Sequence, residues 1–170
     1  MADVAAPAAV RIVKISSSDN EEFLLPRNIC ALSKTLDNIL RDLGLDDAEE
    51  TNKDAIPVKN VDAKTLRKVL DWAENRLNNP APAPVAENQN VPLSEFEVEY
   101  FKVSQTTVFE IILAANYLDI PELLDAGCQA VANLMKGLTV EQMRKQFEIV
   151  NDFTAAEEAE IRRENAWCEE

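Results

Sequence analysis

The sequence predicts an α/β fold, a small sheet with flanking helices followed by a C-terminal helical extension. Three observations predict it. Strand-like patterning is confined to residues 10–25 and 56–61. Helical apolar spacing covers residues 34–44 and 63–77 and fills the second half. The 170 residues, 46% of them apolar, suffice for one domain with a modest core plus an extension.

VRIVKI (10–15) alternates apolar and charged residues, Ser17-Ser18-Asp19-Asn20 has turn chemistry, and EEFLL returns. Residues 10–25 therefore read as a β-hairpin. Pro26 opens a short helix through Ser33. KTLDNILRDLG follows, with Leu36, Ile39, Leu40 and Leu43 on one face and Gly44 as the stop. DDAEETNKDA (46–55) is an acidic loop, and IPVKNV (56–61) a short strand. Asp62 caps AKTLRKVLDWAENRL, where Leu66, Val69, Leu70, Ala73 and Leu77 form an apolar stripe. NNPAPAPVAENQNVP (78–92) holds four of the eight prolines and no periodicity, so it reads as an extended or disordered linker. Residues 1–9 read as a disordered N-terminal extension. Asp3 stands where a signal peptide has a basic residue, and Pro7 interrupts the apolar run.

Capping boxes punctuate the second half at Ser94…Glu97, Thr107…Glu110, Thr139…Gln142 and Thr154…Glu157. Asp119 with Pro121 and Glu122 opens a further helix. The expected helices cover residues 94–103, 107–118, 121–136, 139–147 and 154–167.

The net charge of −14 is unevenly spread: residues 1–79 carry 11 basic and 14 acidic side chains, residues 93–170 carry 6 and 16. Such a surface repels phosphate backbones and anionic membranes, which argues against nucleic-acid or membrane partners. It suits basic partner surfaces. The absence of His removes the commonest general base and metal ligand. Cys30, Cys128 and Cys168 are far apart, which implies neither a zinc site nor a disulfide framework and fits a reducing compartment. Cys30 and Cys128 lie among apolar residues and read as small core hydrophobes. No catalytic residue, metal or cofactor is implied. An enzyme is disfavoured further by only three glycines and no phosphate-cradling loop.

Two segments carry the functional argument. VFEIILAANYLDI (108–120) is apolar almost all round. Val108, Ile111, Ala115 and Leu118 make one stripe, and Phe109, Ile112, Leu113 and Asn116 reach round the other side. Such a helix must be covered on both sides. It is either a central core helix or one shared between its domain and a partner. The polar atoms of Asn116 and Tyr117 favour the second reading. The second segment is Trp167, on an otherwise acidic helix. Covering a Trp removes about 150–250 Å² from water, worth up to about 4–6 kcal/mol at roughly 25 cal/mol/Å². It is either pinned onto its own domain or held for a partner.

VFEIILAANYLDIPELLDAGCQAVANLMKG, then MRKQFEIVNDFTAAEEAEIRRENAWCEE, resembles the S-phase-kinase-associated adaptor family of SCF (cullin–RING–F-box) ubiquitin ligases. SSSDNEEFLL, LRDLGLDD and IPVKNVDAKTLRKVLDWAE fit the same family, so the resemblance covers nearly all of residues 10–170. It implies a BTB/POZ-like domain over 10–137, interrupted by the linker at 78–92, and a C-terminal F-box-binding extension over 138–170. It further implies a non-catalytic adaptor of the ubiquitin-conjugation pathway, cytoplasmic and nuclear, that bridges F-box substrate receptors to a cullin. On matching positions, Phe109, Ile112, Leu113, Leu124, Val131, Met135, Met143, Phe147, Ile149 and Trp167 would meet the F-box. Asn116 and Tyr117 would face the cullin N-terminal domain. Ser104 stands where the family often has Asp. The other reading is a self-associating BTB scaffold. A homodimer of the unbound protein is compatible with either.

Overall fold

The computed structural model describes residues 11–45, 52–80 and 92–168. The N-terminal extension 1–9, linker residues 81–91 and loop residues 46–51 lie outside the described residues. The chain divides into two compact units, Met1–Ala132 and Asn133–Glu170.

The first unit opens with the hairpin. β1 (Ile12–Ser16) pairs antiparallel with β2 (Glu22–Pro26), in a register that sets Lys14 opposite Leu24. Val13, Ile15 and Leu25 point into the core, while Ile12 and Leu24 lie on the outer face. α1 (Arg27–Cys30) starts directly after Pro26, whose fixed φ and missing N–H suit a helix entrance. β3 (Ile56–Pro57) pairs parallel with β1, giving the order β2-β1-β3. The strand expected over 56–61 is thus shortened, because Lys59 and Asn60 turn the chain. A side chain extends the ladder instead. Asn52 accepts from Lys14 N at 2.7 Å and donates to Lys14 O at 2.8 Å, as a neighbouring strand would.

α2 (Lys34–Asp42) buries Leu36 and Leu40. Leu43, expected on the same face, is exposed, because the helix ends beneath it and Gly44 turns to φ +64°. α3 (Ala63–Asn78) is capped by Asp62, which accepts from Thr65 N at 3.0 Å. Its buried face includes Trp72, outside the expected stripe, while Leu70 and Leu77 are only partly buried. Trp72 has a polar N–H to satisfy, and Glu97 supplies the acceptor at 3.2 Å.

Glu97 belongs to α4 (Glu95–Tyr100), whose Ser94–Glu97 capping box forms as expected. Only 7% exposed, Glu97 also accepts from Ser94 N at 2.9 Å and Ser94 Oγ at 2.8 Å. Burial opposes its charge. The Ser94 and Trp72 donors and the Arg76 guanidinium outweigh that and hold its pKa below the ordinary carboxylate value. A depressed folded-state pKa contributes stability above the unfolded value of about 4.3, lost as pH falls through the folded value. Glu97→Gln is therefore expected to cost about 1–3 kcal/mol at neutral pH and to flatten the acid limb of the stability curve. Urea unfolding of both proteins between neutral and acidic pH checks this.

α5 (Gln105–Tyr117) begins one turn earlier than its expected capping box. Ser104 is the cap, accepting from Thr107 N at 3.3 Å, so Thr107 lies inside the helix. An Asp at this position would cap equally well. α6 (Pro121–Met135) follows a tight turn in which Asp119 has φ +49° and ends α5 rather than capping α6. The core of this unit centres on Ile15, Leu40, Leu66, Trp72, Ile111, Leu118 and Leu123. Cys30 is buried in it, and burial raises its thiol pKa to about 11. Cys128, expected inside, is exposed, on the opposite side of α6 from Leu123 and Ala130.

The second unit holds the last residues of α6, then α7 (Val140–Gln146), α8 (Ala155–Glu164) and a 3₁₀ turn (Ala166–Cys168). Both expected capping boxes form, at Thr139–Gln142 and Thr154–Glu157. Trp167 lies in the 3₁₀ turn, because α8 stops at Glu164.

Candidate functional site

α5 is the helix on which the two readings of the sequence diverge. Val108, Ile111, Ala114, Ala115 and Leu118 are buried, so that side belongs to the core. The other side stays apolar without being buried. Leu113 is 68% exposed, Phe109 39%, and Ile112 sits half-buried between the two sides. A core helix buries its apolar side chains; this one leaves a second apolar face at the surface.

The C-terminal end of α5 is fixed by the start of α2. A helix leaves its last carbonyls without helical partners. Here Thr35 Oγ1 donates to Tyr117 O at 3.1 Å, Ser33 Oγ to Leu118 O at 2.5 Å, and Lys34 N to Asp119 O at 3.2 Å. The same Ser33 caps α2, accepting from Leu36 N at 3.1 Å. Lys34 Nζ and Asp119 Oδ1 form an outer ion pair at 3.5 Å. These bonds hold the turn from which exposed Asn116 and half-buried Tyr117 project. Ser33→Ala loses a helix cap, worth about 1 kcal/mol, and a buried donor to Leu118 O. We expect a loss of about 1–3 kcal/mol, measured by urea unfolding with an unchanged m value.

α6 buries Leu123, Ala126, Gly127 and Ala130 and leaves Leu124 and Val131 half-buried. A Cβ added at Gly127 would lie 2.6 Å from Ile112 Cγ1.

In the second unit, neither α7 nor α8 has a buried side chain. The helices are joined by polar contacts. Arg144 Nη1 donates to Glu158 Oε1 at 2.7 Å, Asn151 Nδ2 donates to the same atom at 3.1 Å, and exposed Arg162 pairs with Glu141 at 2.8 Å. The Arg144 hydrogen bond leads the causes that hold Glu158 below its ordinary pKa. Trp167 is 75% exposed and Ile149 57%, while Met135, Met143 and Phe147 are half-buried. Val140, Val150, Phe153 and Ile161 are exposed as well. Phe153 and Ile161 line a groove with Glu157, Glu160 and Glu164.

All twelve positions named for F-box or cullin contact therefore retain surface, seven in the first unit and five in the second. Sequence reasoning passed over Val140, Val150 and Phe153, whose signal is an apolar residue in a polar segment too short to bury it. It also passed over Gly127, which has no local signal inside a helical pattern. Among the described residues, no group of three or more His, Cys, Asp or Glu side chains is placed to hold a metal ion.

The chain matches two family models. One, described as Skp1 family, tetramerisation domain, covers residues 11–78. The other, described as Skp1 family, dimerisation domain, covers residues 121–168. A Skp1-related protein of Caenorhabditis elegans is 50% identical over 170 residues, covering 98% of this chain and 97% of that protein. The SCF ubiquitin ligase complex proteins SKP1b and SKP1a of Dictyostelium discoideum are 42% and 41% identical over 162 residues, each covering 94% of this chain and 96% of its own length.

Proposed function

The chain belongs to the Skp1 family, and from that premise we propose that it is the non-catalytic adaptor of an SCF-type ubiquitin ligase, acting in the cytoplasm and nucleus. It joins an F-box substrate receptor to a cullin scaffold, so that substrate is held near the ligase's catalytic end. The observation that carries this reading is α5, buried on one side and apolar at the surface on the other, with Leu113 68% exposed. Exposed apolar area of this kind marks a protein-binding surface. Phe109, Ile112, Leu113, Leu124 and Val131 of the first unit meet the F-box. Met135, Met143, Phe147, Ile149 and Trp167 give the second unit its own F-box-binding surface. Asn116 and Tyr117, at the braced end of α5, face the cullin N-terminal domain. No cofactor enters this role.

A second reading, self-association through the same surfaces, has support in the dimerisation and tetramerisation descriptions of the matching family models. We take it as a state of the unbound adaptor. Mixing the purified chain with an F-box receptor and a cullin N-terminal domain tests the proposal by light scattering on a sizing column. A complex with one copy of each is expected. A self-associated chain that neither partner dissociates would sink the adaptor role and favour the scaffold.

A further inference from the structure

We propose that Gly127 is a positioning residue for receptor binding. Its missing side chain seats Ile112 between α5 and α6 and so sets the height of the apolar face that the F-box meets. This rests on the adaptor reading and adds a residue that touches no partner itself.

A glycine inside a helix is unfavourable relative to alanine, so its presence calls for a reason. Gly127 is buried in the middle of α6 and has no positive φ, so conformational freedom is not that reason. Close approach is. A Cβ there would meet Ile112 Cγ1 at 2.6 Å and Cδ1 at 3.4 Å. Cγ1 is not a loose chain end. It sits one bond from Cβ in a β-branched side chain whose χ1 is nearly locked within a helix. Room for a methyl group at 127 therefore requires Ile112 to turn outward or α5 and α6 to part. Ile112 lies on the border between the buried stripe and the exposed Leu113, one turn before Asn116. Turning it outward raises the α5 face beside Leu113 and leaves the core stripe, Ile111 and Ala115, in place. A raised Ile112 stands in the way of an F-box that packs closely over this face.

The test uses the full chain, one purified F-box receptor and a cullin N-terminal domain. Gly127→Ala is expected to weaken receptor affinity about tenfold while cullin affinity stays unchanged. Ile112→Ala weakens the receptor by its own lost contact. Within that background, Gly127→Ala is expected to have no further effect, because the clashing atoms are gone. The proposal is overturned if Gly127→Ala leaves receptor affinity unchanged, if it costs the same in both backgrounds, or if receptor and cullin affinities fall together. Should Gly127→Ala alone fail to fold, the double variant must fold as well as Ile112→Ala, and failure to do so overturns the proposal. A wild-type chain that binds no F-box receptor would instead refute the adaptor reading.

Discussion

Replacing Asn116 and Tyr117 together by lysine is expected to abolish cullin binding while leaving the fold and F-box binding largely intact. Asn116 is exposed, and Tyr117 is half-buried at the edge of the core. The bonds that brace this end of α5 run from Ser33, Lys34 and Thr35 to backbone carbonyls, which the substitutions leave in place. Two cations at a helix C-terminus interact favourably with its dipole, so the free protein has no electrostatic reason to unfold. Bound to a cullin, the same cations would enter a close surface without partners, beside a Lys34 already held by Asp119. Unpaired charges in an interface cost several kcal/mol, and about 4 kcal/mol is roughly a thousandfold in affinity. Separate titrations with each partner read the result. Equal loss of both, with an unchanged melting temperature, would mean that these residues do not form a separate cullin site.

Trp167→Ala is expected to weaken F-box affinity thirtyfold or more while the unfolding midpoint of the free protein barely moves. A Trp that is 75% exposed contributes little to the free fold. Covered by a receptor, it becomes the kind of anchor whose truncation costs about 2 kcal/mol or more. Fluorescence offers an independent check. Trp72 is 2% exposed and emits from a buried site with or without a receptor, so a blue shift on adding one reports Trp167. Both Trp residues are best kept in that measurement, because Trp72→Phe would remove a donor from buried Glu97. A large stability loss in the Ala variant, with no shift on receptor addition, would make Trp167 an internal peg and remove it from the interface.

Much of the fold was legible because its signals are local. Three of the four expected capping boxes form, since each needs only a hydroxyl and a carboxylate or amide three residues apart. The fourth failed by competition, because Ser104 offers the same chemistry one turn earlier. The two sides of α5 follow from periodicity, although the choice between core and surface for Phe109 and Leu113 is made by the tertiary fold. What escaped depends on distant partners. Asn52 completes a ladder with Lys14, buried Trp72 finds its acceptor in Glu97, and Gly127 lies against Ile112 of another helix. Leu43 and Cys128 went the other way. Leu43 continued its stripe past the end of α2, and Cys128 has apolar neighbours in sequence but lies on the face of α6 turned from the core.

The substitute rung on β1 has a consequence for how copies of the chain can assemble. An open sheet edge is a template for another strand. On the β3 side that template is nearly absent. β3 spans two residues, one of them Pro57, which has no N–H to offer, and the next backbone pair along β1 is occupied by an amide side chain. The described part of that edge cannot extend into an intermolecular ribbon. Runaway strand-to-strand polymerisation, the usual hazard of a small exposed sheet, is blocked there by two side chains. Strand pairing between copies is therefore disfavoured on the β3 side of the sheet, and β2, at the other end of the order, is the edge left to it.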